Sequence, residues 1–311
     1  MKQSQFYYLL RRGLFGGGGI WAKYVNDFKA RVIADGGTME SPSCAKTDVK
    51  FLVQNPEPVA FTGLLNDYSG AAAAYSLRLL DNTYTGDAIV VRRASDNTTQ
   101  SIGFVNNELD TTTLESFCSG TDGFVTTWYD QSGNGNDAAN ASASAQPQIV
   151  SSGSTILENG KPTISPPSST YLLLPLSFAS PASYNIFSVL KSTFDFNCLI
   201  GTTDSADYSW LAQTASVSTT INSRANMTAA YVNGSSFSGT RGDIKTAMST
   251  QSLIYLDYSL FNYQGTGPRL AYQDAGSFRM YQMQELIFYT TDQSSNQGGI
   301  ETNINDFYTI Y

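Results

Sequence analysis

From about residue 59 onward the chain is a succession of short apolar and aromatic segments, separated at close intervals by Gly, Asn, Asp, Ser and Thr. This punctuation limits the fold more than any other feature, because such segments suit strands and are too short for packed helices. Strands are expected at 88–93, 123–129, 170–176, 184–190, 208–212, 228–232, 252–258, 268–273 and 278–289. Three helices interrupt them. The alanine-rich run 70–80, GAAAAYSLRLL, reads as helical on propensity. Residues 110–118 form a helix capped by Asp110 or by the Thr112…Glu115 box. The end, 292–311, carries Ile300, Ile304 and Phe307-Tyr308 at helical spacing. Only 14 % of residues are charged, against about a quarter in ordinary domains, so the polarity comes from neutral side chains in loops. The expectation is an all-β sandwich over 59–311.

The first 58 residues differ. After Gly16–Gly19, read as a hinge, Trp21, Val25, Phe28 and Val32 fall on one face of a helix that Gly36-Gly37 ends. A second short helix is expected at 43–54, before Pro56 and Pro58. Residues 1–50 carry eight Lys/Arg against four Asp/Glu, while the rest carries ten against twenty-two. A basic arm too small to fold alone, on an acidic body, is expected to dock on a neighbour through Trp21, Val25, Phe28 and Val32.

Several chemistries are excluded by what the chain lacks. It contains no histidine, which removes Ser-His-Asp and Cys-His catalysis and ordinary catalytic zinc. Cys44, Cys118 and Cys198 stand 74 and 80 residues apart, match no metal motif and are expected as buried thiols. The body lacks the clustered Lys/Arg that nucleic acid requires. No apolar run reaches the roughly 18–20 residues of a membrane span. Arg241-Gly242-Asp243 is expected as a chance tripeptide in a polar loop.

One stretch is specific enough to carry a resemblance. Ala73–Leu80, Tyr84–Arg93, the segment up to Phe117-Cys118, and the turn Tyr129-Asp130-Gln131-Ser132-Gly133-Asn134-Gly135-Asn136 resemble the catalytic domain of α-L-arabinofuranosidase B. The closing stretch MQELIFYTTDQSSNQGGIETNINDFY is similar to the last strand and helix of that domain. The resemblance implies a concanavalin-A/laminin-G-like jelly-roll β-sandwich, here with a short helical N-terminal arm. The same module recurs in bacteriophage virion proteins, and FKARVIADGGTMESPSC resembles a segment found on phage structural proteins.

The resemblance also implies chemistry. Retaining glycoside hydrolysis needs two carboxyls about 5–5.5 Å apart. In the family these are a mid-domain Glu and an Asp before the last strand. Asp274, eleven residues before Glu285, occupies a position like the family's Asp, but no Glu lies between Glu158 and Glu285. Asp204 or Asp207 could replace the nucleophile only with a shifted backbone. The family's adjacent cysteines are also missing, Cys198 standing alone, and Glu285 reads as an ordinary acidic residue of the closing strand. The sequence therefore favours a non-enzymatic reading. The chain is expected to be a virion structural protein (fibre, spike or head decoration) that presents a lectin-like sandwich to a host-surface glycan. It would join other virion proteins through its arm, as a homo-oligomer with a trimer as the expected form. The alternative is a glycoside hydrolase of the α-L-arabinofuranosidase type with Asp274 as its catalytic candidate. Glycan contacts are placed at Trp128, Tyr129, Asp130, Asn134, Asn136 and Asp137, with Tyr208 and Trp210 as a second surface. No cofactor or metal is expected; calcium at the 130–137 turn is the minor alternative, because the turn offers only part of the six to eight oxygens required.

Overall fold

A computed structural model describes residues 61–165, 170–176, 182–192, 199–201, 227–261, 269–270, 272–273, 277–278 and 282–311. The arm, with Trp21, Val25, Phe28, Val32 and Cys44, lies outside the described residues, as do Cys198, Asp204, Asp207, Tyr208, Trp210 and Asp274.

The strands used below are β1 (Ala71–Ser76), β2 (Ile89–Arg93), β3 (Thr99–Ile102), β4 (Gly123–Trp128), β5 (Ala138–Ala139), β6 (Gln148–Ser151), β7 (Leu172–Leu173), β8 (Ala182–Lys191), β9 (Ile200–Gly201), β10 (Met227–Val232), β11 (Ser235–Ser236), β12 (Ser252–Phe261), β13 (Arg269–Leu270) and β14 (Gln282–Tyr289). The helices are α1 (Leu64–Asp67), α2 (Thr111–Phe117), α3 (Arg241–Met248) and α4 (Gln297–Tyr308). One sheet has the order β1-β14-β8-β12-β10-β11, and a second runs β9-β13-β7-β5-β4-β2-β3, with β6 beside β4. The pairings are antiparallel. The protein is thus an all-β jelly-roll sandwich, as the strand-and-turn pattern requires.

Alternation along the strands builds two cores. Ile186, Leu190, Ile254, Leu256, Leu286 and Phe288 face Ile89, Val91, Ile102, Val125 and Trp128 across the sandwich. The opposite face of the first sheet is buried too, with Phe187, Val189, Leu253, Tyr255, Ile287 and Tyr289 packed under Ile300, Ile304 and Tyr308 of α4 and Leu64-Leu65 of α1. This double burial explains why β8, β12 and β14 are apolar on both faces.

Two local expectations are corrected. Residues 71–76 are a strand, because pairing with β14 and burial on both faces outweigh alanine's helical propensity. Arg241-Gly242-Asp243 opens α3, where Thr240 and Asp243 form a reciprocal capping box. Of the caps proposed for α2, Asp110 is the one formed: its side chain accepts from Thr113 N, while Glu115 accepts from Thr155 N. Cys118 is a buried free thiol.

Candidate functional site

The turn after β4 begins at Asp130, which is only 4 % exposed. Asp130 Oδ1 accepts from Ala74 N and Ser132 N, each at 2.8 Å. Its Oδ2 accepts from Ser132 Oγ at 2.8 Å and Asn136 N at 3.0 Å. Asp137 closes the base of the turn by accepting from Asp130 N at 2.9 Å. Gly133 and Gly135 adopt φ of 84° and 72°, and a Cβ at either position would meet open space, so the turn needs their backbone freedom and not their small size.

The remaining polar groups reach sideways to β1. Asn134 Nδ2 donates to Ala71 O and Ala72 O, and Asn136 Nδ2 donates to Ala72 O. Gln131 N donates to Ala74 O, its Nε2 to Ser76 O and Arg78 O, and its Oε1 accepts from Leu80 N. Tyr75 Oη donates to Asn136 O. Among the described residues β1 is the last strand of its sheet, and these groups cover its open edge as a neighbouring strand would.

This placement separates the six expected ligand residues. Trp128 is fully buried, its ring 5.8 Å from that of Tyr75, and its Nε1 has no partner among the described residues. It offers no face to a sugar. Asp130, Asn134, Asn136 and Asp137 are brought together, but the donors and acceptors named above are committed to backbone and to the Ser132 hydroxyl. Tyr129 is half-buried. Both oxygens of Asp130 are filled by N–H and O–H donors, an arrangement that opposes a cation. Among the described residues no cluster of three or more His, Cys, Asp or Glu could hold a metal ion.

The local field is acidic. Burial, with Asp130 and Asp137 adding to it, pushes the Tyr75 phenol far up. Burial, Asp137 and Asp87 push Tyr84 up to about 12. Asn136 also borders a pocket of about 180 Å³ with Ala72, Pro175, Leu176, Tyr184, Phe288 and Thr290. That is well below the ~300 Å³ of sites for drug-sized ligands.

A second polar centre went unread in the sequence. Glu285 of β14 is fully buried and accepts from Arg78 Nε at 2.8 Å and Arg78 Nη2 at 3.0 Å. Ser76 Oγ donates to the same carboxylate at 2.8 Å, and Tyr308 Oη at 3.3 Å. Arg78 Nη1 donates to Asn303 Oδ1 at 2.9 Å, and the guanidinium lies 5.1 Å from the Phe307 ring. The reading of Glu285 as an ordinary strand acid is therefore corrected: it pins α4 to the sheet and is sealed from any substrate. The signal was one charge inside each of two apolar runs, SLRLL and MQELIFY. An apolar neighbourhood tolerates such charges only as partners.

The family model for the catalytic domain of α-L-arabinofuranosidase B matches residues 67–161. No curated protein matches the chain. A structure of an arabinofuranosidase complexed with arabinofuranosyl-α-1,2-xylobiose is 17 % identical at a TM-score of 0.48, covering 75 % of this chain and 62 % of that one. A GH54 α-L-arabinofuranosidase soaked with a cyclic sulfate inhibitor is 16 % identical at a TM-score of 0.45, with the same coverages. The chain thus spans 62 % of the length of these relatives. The family match overturns the expectation of a virion fibre, spike or head protein engaged in host attachment. It also overturns the non-enzymatic reading and the virion localisation, because the matched family is the catalytic domain of an enzyme.

Proposed function

We propose that the protein is a glycoside hydrolase of the α-L-arabinofuranosidase type. The observation that carries this reading is the match of residues 67–161 to that family's catalytic domain. Composition narrows the chemistry. The chain has no histidine, and glycoside hydrolysis needs none, since a pair of carboxyls suffices. One carboxyl protonates the departing glycosidic oxygen, and the other attacks the anomeric carbon or activates the water that does.

Among the described carboxylates, Glu285 is committed to Arg78 and Asp130 to the 130–137 turn. The family resemblance assigns the general acid/base to Asp274, with Asp204 or Asp207 as the candidate for its partner. A shorter aspartate requires its backbone to approach the anomeric carbon more closely than a glutamate would.

The test is release of 4-nitrophenol from 4-nitrophenyl α-L-arabinofuranoside. Wild-type protein should release it, and Asp274→Asn should lower kcat by roughly 10²–10⁴, the usual contribution of a positioned acid/base. No release by folded wild-type protein, or full activity in Asp274→Asn, refutes the assignment.

A further inference from the structure

The C-terminal helix α4 seats on the outer face of the six-stranded sheet through Ile300, Ile304 and Tyr308. Glu301 sits among them on the buried side, at 3 % exposure. One of its carboxyl oxygens, Oε2, accepts from Gln297 Nε2 at 2.7 Å, one turn back on the same helix. The other, Oε1, is buried and has no partner among the described residues. An ionised carboxylate has about four lone-pair positions to fill, so this seat leaves most of them empty.

Among the described residues, no ion pair supplies a cation to this seat. From the sheet, Tyr255 of β12 feels the Glu301 charge, together with those of Asp257, Asp292 and Tyr231. From the chain end, Tyr311 feels Glu301 and Asp306. The ion pairs of the described residues, Arg78–Glu285, Arg93–Asp96, Lys161–Glu108 and Lys191–Glu158, all lie elsewhere. The ionisable groups coupled to Glu301 are thus two phenols, Tyr255 and Tyr311, and none of these ion pairs includes it. Desolvation penalises the anion and spares the neutral form.

We propose that α4 is a proton-strengthened latch: the helix grips the sheet more firmly with Glu301 as a neutral acid than as a carboxylate. Burial accordingly raises the Glu301 carboxyl above the usual glutamate range, and the Gln297 hydrogen bond only partly opposes it. The direction of the linkage follows. A carboxyl that holds its proton more tightly when docked gives full grip below the free glutamate pKa of about 4.3. The grip declines as pH rises through the raised value. What the latch holds is visible at its end. Tyr308 O and Thr309 O accept from Asn159 Nδ2, which ties the Leu157–Pro162 hairpin to α4.

Hydrogen exchange of the full chain between pH 4.5 and 8, corrected for intrinsic rates, tests the proposal. In the wild type, protection of 297–308 should fall across this range, tenfold for each pKa unit by which docking raises Glu301. Glu301→Gln, isosteric and uncharged, should hold the protection of the acidic wild type at every pH, and Glu301→Met should also be flat. Asp306→Asn should keep the wild-type slope. A pH-independent wild type overturns the proposal, and so does an unchanged slope in Glu301→Gln or Glu301→Met. Loss of the slope in Asp306→Asn, or a parallel loss of protection in β4, overturns it as well.

Discussion

Replacing Asp130 by alanine tests whether the 130–137 turn is scaffold. The carboxylate accepts four hydrogen bonds: from Ala74 N, Ser132 N, Ser132 Oγ and Asn136 N. A bond to a charged acceptor contributes about 1.5–3 kcal/mol, and a buried donor left alone costs about 1–3 kcal/mol. The four bonds are not additive, because Ser132 and Asn136 gain access to water once the turn opens. The bond to Ala74 N is fully buried and has no such relief. The expected loss is about 3–5 kcal/mol, a large part of the 5–15 kcal/mol that holds a typical domain together. For a domain of this size that corresponds to roughly 6–20 °C in Tm. Asp130→Asn keeps one acceptor and should lose roughly 2 kcal/mol. Urea unfolding followed by tryptophan fluorescence reads both variants, with a falling midpoint and an unchanged slope. Freed of its cover, the edge of β1 should also make Asp130→Ala prone to aggregate. If Asp130→Ala unfolds within about 0.5 kcal/mol of the wild type, as an ordinary surface change does, the edge-cover reasoning is wrong.

The other stability predictions concern the inside of the sandwich. Glu285→Gln leaves the Arg78 guanidinium buried without its counter-charge and should cost about 3–5 kcal/mol by urea unfolding. Joining Arg78→Met to Glu285→Leu should recover most of that loss, as removing a whole buried pair usually does; a double variant as unstable as the single would refute the ion-pair account. Gly63→Ala should cost at least ~2 kcal/mol, because its Cβ would stand 2.1 Å from Leu80 O and 2.3 Å from Leu80 C. Backbone cannot yield there, and Leu80 O is already held by Leu65 N; a wild-type Tm in this variant would contradict the packing at α1.

The strands of the sandwich were legible because their signal is local. Apolar alternation, aromatic content and turn residues announce β2, β4, β8, β12 and β14 to within a few residues. Asp110 is legible as a cap for the same reason, since its partner Thr113 is three residues away. What failed was non-local. β1 carries a helical propensity that its partner, more than two hundred residues later, overrides. Arg78 meets Glu285 across a similar separation, so neither residue alone reveals the pair. The 130–137 turn shows the limit in a different way. Its composition, rich in Asp and Asn and preceded by aromatics, suits a sugar-binding surface and an edge-capping turn equally well. Only the direction of each amide and carboxylate separates the two, and that direction is set by β1, about sixty residues upstream.

The family likeness draws on the same scaffold. The matched stretch, 67–161, contains β1, the turn that covers its edge, and the strands β2 to β6. Its best-fixed polar residues, Asp130, Gln131, Asn134 and Asn136, bind main chain. A motif whose side chains are consumed by the backbone is constrained by folding, because each buried main-chain group it serves must keep a partner. Glycoside cleavage would depend on carboxyls outside that stretch, at Asp274 and at Asp204 or Asp207. The scaffold and the proposed chemistry are therefore separable by mutation. Asp130→Ala should lower stability and leave kcat per folded molecule unchanged at a temperature where it remains native, whereas Asp274→Asn should lower kcat by roughly 10²–10⁴ and leave the unfolding midpoint in place. A variant of the turn that loses turnover while fully folded would show that the two are coupled through β1.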